Sequence, residues 1–150
     1  MSAYISIWIR ANSGGSYICL DEWSRSHPMY SSLSELVPYE TFKELSEEGL
    51  QQAMDSCDEA IQLQKEFLAE NAAAIEFLKD CAHVNAAQLM EQYYDLKEEK
   101  EAIQKELDTL ERTKSQLQFY LDILNEQAYS KAATLYVAHE CDPNFENKTD

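Results

Sequence analysis

The sequence predicts a mainly α fold, in which an N-terminal β-hairpin precedes a long antiparallel helical hairpin, or coiled coil, that associates into a helical bundle. Three observations favour this class. The first residues alternate between apolar and other side chains, two leucine-rich heptad rows follow, and the 150 residues include only three glycines and three prolines. We expect one structural domain overall, made of a hairpin with its connector (1–38), a helical coiled-coil region (39–138) and an acidic flexible tail (139–150).

The segment 4–21 is predicted to form the β-hairpin. Ile5, Ile7 and Ile9 alternate with other residues, so they share one face of the first strand. The segment 12–15, Asn-Ser-Gly-Gly, supplies residues that tolerate the positive φ angles of a tight turn. A hairpin of two strands is only marginally stable in water. We therefore expect its isoleucine face to pack against the helices.

Two heptad rows predict the helical region. Pro38 suits the first position of a helix, and no further proline occurs before residue 138. Both rows step by four and three residues, which keeps their members on one helix face. The first row contains Leu50, Met54, Cys57, Ile61, Gln64, Leu68, Asn71, Ile75, Leu78 and Ala82; the second contains Leu89, Tyr93, Leu96, Lys100, Ile103, Leu107, Leu110, Lys114, Leu117, Leu121, Leu124, Ala128, Lys131 and Leu135.

The two rows differ in phase, and the shift falls near residues 81–85. Either the helix continues through a local distortion, or the chain turns there with Asn85 capping the second helix. We favour the turn, because a continuous helix of about 100 residues would extend about 150 Å and leave a wide apolar stripe uncovered. This choice predicts an antiparallel helical hairpin within one chain. Whether the helices of two associating chains run parallel or antiparallel stays open.

The second helix, expected over 86–138, is longer than the first, expected over 49–82. Folded back, the first helix cannot cover the leucines towards one end of the second, which are Leu117, Leu121, Leu124 and Leu135. Burial of a leucine contributes about 1.5–3 kcal/mol, so a bare row of leucines is unfavourable. We expect a homodimer to cover this row; the alternative is coverage within the chain by residues 1–48.

An excess of acidic residues bears on the class of partner. Twenty-eight acids against twelve bases give a net charge of −16, with an isoelectric point near 4.4. Such a chain repels nucleic-acid phosphates and anionic membranes, so we expect neither as a partner, and a basic protein surface is its natural complement. The simpler alternative is that the acids serve only solubility. The chain has no basic leader, long apolar span or Cys-x-x-Cys pair, which favours a cytoplasmic location.

Motifs that mark common catalytic and cofactor sites are missing. The sequence has no Gly-rich phosphate loop, no Gly-x-Ser-x-Gly and no His-Glu-x-x-His. Two short pairs, Cys81-x-His83 and His139-x-Cys141, could bind zinc only if separate molecules brought them together, so we interpret them as ordinary thiols and histidines. We predict no catalytic, cofactor-binding or metal-binding residue, no cofactor, and no enzymatic activity.

Two groups of residues are candidates for binding a partner. The first is rich in the residue types enriched at binding hot spots and comprises Trp8, Arg10, Trp23, Arg25 and Tyr30. Trp8 and Arg10 are expected on the strand face opposite the isoleucines, although both tryptophans could instead complete the core where the hairpin meets the helices. The second group contains acids of the first helix, namely Asp58, Glu59, Glu66 and Glu70.

These observations lead to two hypotheses about function. The first is a non-enzymatic protein–protein interaction module, an acidic coiled-coil homodimer that binds a protein partner. The alternative is an acidic inhibitor of the phage anti-defence type, which mimics a nucleic acid and blocks a basic site on a host nucleic-acid enzyme. The salt dependence of partner binding distinguishes the two hypotheses, because an electrostatic mimic loses its partner steeply as ionic strength rises.

Overall fold

The computed structural model describes residues 4–81 and 86–143. The chain divides into two compact units. The first comprises residues 1–56 and 113–150, and the second comprises residues 57–112.

Helices and strands are interleaved along the described chain. In order they are β1 (Tyr4–Ala11), β2 (Ile18–Ser24), α1 (Tyr30–Ser34), β3 (Phe42–Glu44), α2 (Glu47–Asp80), α3 (Ala86–Asn125), α4 (Gln127–Ala132) and β4 (Ala133–His139). The two long helices, α2 and α3, contain most of the described secondary structure. The prediction of a mainly α protein is therefore confirmed.

The N-terminal β-hairpin is confirmed, and its second strand is longer than expected. Strands β1 and β2 pair antiparallel, and Ile5 lies opposite Trp23. The turn between them contains Gly14 and Gly15 at φ +113° and +108°, a region that strongly favours glycine. Ile5 is 0% exposed and Ile7 2% exposed, as the alternation predicts.

Strand β4 is the main departure from the predicted fold, because this segment was expected to be helical. It lies between β1 and β3 in an antiparallel sheet with the order β2-β1-β4-β3. Thr134, Tyr136 and Val137 are residue types that pack well on a pleated sheet. The alternation of the strand places Leu135 and Val137 in the core. The helical interpretation was wrong because a single leucine in phase with a heptad does not exclude a period of two.

The predicted helical region also began too early. Residues 39–46 contain β3, which pairs with β4, and Pro38 lies in a turn rather than at the first position of a helix. Helix α2 begins at Glu47. The Ser46 hydroxyl accepts a hydrogen bond from the Gly49 backbone N–H at 3.0 Å and so caps this end of the helix. A serine followed by two glutamates is the sequence signal for this start.

The core of the first unit covers the leucines that were expected to be bare. Leu117, Leu121 and Leu135 are 0%, 8% and 1% exposed within a single chain, and Leu124 is half-buried. The Asp21 side chain of β2 accepts hydrogen bonds from Gln116 at 3.0 Å and from the Tyr120 hydroxyl, which joins α3 to the sheet. Coverage within the chain, the alternative to a dimer, therefore accounts for this row.

The predicted acidic tail, 139–150, begins later than expected. His139 is the last residue of β4 and is 6% exposed. The Glu140 backbone N–H donates to the Tyr4 carbonyl at 3.0 Å, and the Pro143 side chain is fully buried. Residues 140–143 therefore pack against the first unit, and 144–150 lie outside the described residues.

In the second unit, helices α2 and α3 run antiparallel. Cys57 Sγ donates to the Leu110 carbonyl at 3.2 Å, and Asn71 Nδ2 donates to the Leu96 carbonyl at 2.9 Å. A step forward along α2 thus matches an equal step backward along α3, as an antiparallel helical hairpin requires. The predicted junction at 81–85, with its proposed cap, lies outside the described residues apart from Cys81.

Candidate functional site

The outer face of the sheet, opposite the isoleucine core, carries two of the predicted residues. Trp8 and Arg10 are both half-buried and project from β1 on this face. Trp8 lies opposite Tyr136 of β4 in the antiparallel pairing, so their side chains are on the same side of the sheet. The Trp8 indole N–H donates to Ser6 Oγ at 2.7 Å, and Ser6 is fully buried.

Three further aromatic side chains join this surface. The rings of Phe42 and Tyr136 stack at a centroid distance of 4.9 Å. Tyr17, from the turn between β1 and β2, meets both rings edge-on, at 5.2 Å from Phe42 and 5.3 Å from Tyr136. Each of the three is only half-buried in the chain. We call the surface formed by Trp8, Arg10, Tyr17, Phe42 and Tyr136 the aromatic sheet face.

Arg10 is held in place at the edge of this surface. Its Nε donates to the Gly15 carbonyl at 2.9 Å, and one terminal nitrogen donates to the Tyr17 hydroxyl at 3.2 Å. Its guanidinium carbon lies 4.9 Å from the centre of the Tyr17 ring, within cation–π distance. Arg10 and Tyr17 are therefore held together by contacts within the chain. A side chain that is already ordered loses less entropy when a partner binds.

Next to the aromatic sheet face, β2 is an edge strand with exposed apolar side chains. Ile18 is 61% exposed and Leu20 39% exposed. The pairing of β1 with β2 shifts by one residue between Ile7 and Trp8, which is a β-bulge. Bulges at sheet edges discourage uncontrolled pairing with other strands. Ile18 lies opposite Ile9, so its side chain is on the isoleucine side of the sheet and not on the aromatic sheet face.

The other predicted hot-spot residues lie elsewhere. Trp23 is 4% exposed in the core beneath β1, so its assignment to a binding surface is wrong and the core alternative holds for it. The Tyr30 hydroxyl forms a 2.6 Å hydrogen bond with His139 Nε2, which gives this tyrosine a structural contact. Arg25 is exposed just after β2. Among the predicted residues, only Trp8 and Arg10 are brought together with the aromatic cluster.

Sequence reasoning missed three members of the aromatic sheet face. Tyr136 was assigned to a helix and Phe42 to the start of one, so neither could be placed beside β1. Tyr17 was expected at the start of the second strand, but that strand begins at Ile18 and Tyr17 lies in the turn. The available signal was the strand-like segment 133–139, which alternates Leu135 and Val137 with Thr134 and Tyr136.

The histidines of the first unit are engaged in its internal hydrogen bonds. His139 Nδ1 donates to the Val37 carbonyl at 3.0 Å, and its Nε2 is hydrogen-bonded to the Tyr30 hydroxyl at 2.6 Å. His27 contacts the Met29 backbone and Thr113. No group of three or more metal-ligating side chains occurs among residues 4–81 and 86–143, and His83 of the first Cys/His pair lies outside them.

The acidic candidates all belong to the second unit and lie on its surface. Asp58, Glu59, Glu66 and Glu70 of α2 are exposed. They are neighbours of exposed apolar side chains on the same helix, which include Leu63 and Phe67.

Comparison of the chain with protein-family models, with curated proteins and with solved structures finds no match. Among the helices described here, none has the length and apolarity that crossing a membrane requires.

Proposed function

We propose that the protein is a non-enzymatic interaction module that binds a protein partner through the aromatic sheet face. The observation that supports this most strongly is a half-exposed group of Trp, Tyr, Phe and Arg on a rigid sheet, on the side away from the core. These residue types dominate the energy of protein–protein interfaces.

The charges around this face favour a protein partner. Glu22 lies opposite Ser6, and Glu44 lies opposite Tyr136, so both acids belong to the same side of the sheet as Trp8. With a net charge of −16, the chain repels a phosphate backbone, which weighs against stacking of nucleic-acid bases on the rings. The expected partner segment has an apolar centre, an acceptor for Arg10 and a base facing the two glutamates.

Site-specific crosslinking tests this proposal. A photoreactive phenylalanine analogue is placed at Trp8, and a matched one at Phe119, an exposed ring on α3. The proposal predicts a crosslinked protein at position 8 and not at position 119. With that protein purified, Trp8→Ala should weaken binding by about 2 kcal/mol, as loss of a hot-spot residue does.

Each variant's stability is measured as a control, so that unfolding is not mistaken for a loss of binding. Trp8 is half-buried, so the unfolding midpoint of Trp8→Ala must be measured beside its affinity. Arg10→Lys keeps the charge but loses the fork of hydrogen bonds and should also weaken binding. Unchanged affinity in both variants would refute a role for this face.

A second candidate function is the acidic inhibitor, which the exposed acids of α2 favour. Asp58, Glu59, Glu66 and Glu70 lie along one exposed stretch of helix in a chain with a large negative charge. An inhibitor of this kind would lose its basic target steeply as salt rises, and reversal of Glu59, Glu66 and Glu70 to lysine would abolish binding. If binding to the partner changed little with salt concentration and were lost on Trp8→Ala, the inhibitor function would be excluded.

Association into a homodimer or a larger helical bundle was predicted from the bare leucine row. Because Leu117, Leu121 and Leu135 are buried within one chain, a second copy is not needed to cover them. The solution mass tests this homodimer against a monomer, which the burial of the row favours.

A further inference from the structure

One side of the helical hairpin in the second unit is apolar and exposed. Leu63, Phe67 and Phe77 of α2 are 48%, 40% and 67% exposed. Together with Ala60 and Ala74 they step along the helix at intervals that keep them on one side, next to the covered seam. We call this set of five residues the α2 row.

The part of α3 beside this row is acidic. Asn71, a seam residue four positions after Phe67, approaches Glu99 of α3, with 3.5 Å between Nδ2 and a carboxylate oxygen. Glu106 lies one heptad after Glu99 and therefore on the same side of α3. Both glutamates are exposed. On α2 itself, Glu70 lies within the row and Glu66 beside it.

The bases of the hairpin lie on its other side. Lys79, Lys97 and Lys100 line a groove of about 400 Å³ between the two helices, together with Ile75, Tyr93, Gln104 and one acid, Glu101. Lys65 lies two heptads before Lys79 and shares its side of α2. Lys105 and Arg112, one heptad apart, share an exposed side of α3 that does not include Glu99 or Glu106. The apolar row is thus bordered by acids and separated from the lysines.

We propose that the α2 row binds a basic amphipathic helix of a partner protein. An apolar stripe on the partner would cover Leu63, Phe67 and Phe77, and lysines or arginines on its flanks would face Glu66, Glu70 and Glu99. Two copies joined through this same row would bring these acids together, so like charge disfavours a second copy as the occupant. This surface is independent of the aromatic sheet face.

A synthetic peptide tests the proposal on the full chain. The probe is a labelled peptide of about 18 residues, with leucines on one helical face and lysines elsewhere. The control peptide has the same composition in a scrambled order that forms no apolar helical face. Fluorescence anisotropy should show the amphipathic peptide binding about tenfold or more tighter than its control. Equal affinities would mean attraction by charge alone and would overturn the proposal.

Matched variants locate the binding surface. The double substitution Leu63→Ser with Phe67→Ser should weaken peptide binding about tenfold or more, whereas Phe119→Ser, at a ring 59% exposed in the first unit, should not. Because these side chains are exposed, the fold should survive, and circular dichroism checks that it does. Binding that survives the double substitution would overturn the proposal.

Charge variants provide a second test that does not depend on the apolar residues. Glu66→Lys with Glu99→Lys should weaken peptide binding, whereas Lys97→Glu should not, because it changes the opposite side. Weaker peptide binding by Trp8→Ala would place the peptide on the aromatic sheet face and overturn the proposal. A dimer of the chain alone that Phe67→Ser dissociates would assign the row to self-association and refute the proposal.

Discussion

His27 shows how one buried contact fixes a protonation state. Its Nδ1 accepts a hydrogen bond from the Met29 backbone N–H at 3.1 Å, so in the neutral ring the proton is on Nε2. Nε2 then donates to Thr113 Oγ1 at 3.1 Å, which joins the connector to α3 within the first unit. Burial lowers the pKa of His27 below its ordinary value. The folded chain therefore holds the neutral form.

This arrangement predicts a loss of stability in mild acid. The unfolded histidine takes up a proton at a pH of about 6.5. The folded one, with its lowered pKa, does so only at lower pH, so the free energy of unfolding should fall as pH drops through this range. His27→Asn keeps an acceptor for Met29 but cannot titrate. It should lower stability by about 1 kcal/mol at pH 7.5 and show a weaker pH dependence down to about pH 5.5.

Urea unfolding at several pH values measures both effects. The comparison is made between the two proteins at each pH, so that carboxylates common to both cancel. Identical pH dependence in the two would show that His27 does not control acid stability.

At the scale of elements, Asn71 is a buried polar residue in the seam between α2 and α3. It is 4% exposed, and its Nδ2 donates to the Leu96 carbonyl. Its Oδ1 is buried without a hydrogen-bond partner among the described residues. Buried asparagines in coiled coils often specify register at a cost in stability. Asn71 has the position and the unsatisfied atom that such a role implies.

Replacement of this asparagine should therefore stabilise the hairpin. Asn71→Leu has a similar shape, continues the apolar seam and removes the unsatisfied oxygen, so the free energy of unfolding should rise by about 1 kcal/mol. Urea denaturation measures the rise. Gln64→Leu, at a half-buried position of the same seam, is the matched control, and its free energy of unfolding should rise less. A lower midpoint for Asn71→Leu would show that its hydrogen bonds outweigh the unsatisfied atom.

The elements differ in how far sequence could predict them. Alternation in 4–10 predicted β1, and the heptad rows predicted α2 and α3, because those patterns extend over many residues. β3 has three residues and β4 follows directly on a helix, so neither leaves a long periodic signal. The aromatic sheet face depends on pairing between distant strands, so sequence could nominate Trp8 and Arg10 but could not place Tyr136 beside them.

At the scale of the whole molecule, the burial of the leucine row changes the expected solution mass. The buried leucines of α3 and β4 are covered within one chain, and acids lie beside both the aromatic sheet face and the α2 row. We expect the purified chain alone to sediment as a species of 17.3 kDa at micromolar concentration. A mass of about twice this value would restore the homodimer that the sequence predicted.

The position of β4 also determines when the first unit can form during synthesis. β1 is made before β4, which is one of its two neighbours in the sheet and ends at His139. While the ribosome adds the intervening residues, β1 has only β2 as a strand partner, and such a pair is marginally stable. The antiparallel helices have contacts closer in sequence and can fold earlier. The nascent chain thus exposes Ile5 and Ile7 until its last strand emerges, which is the stage at which a chaperone would be needed.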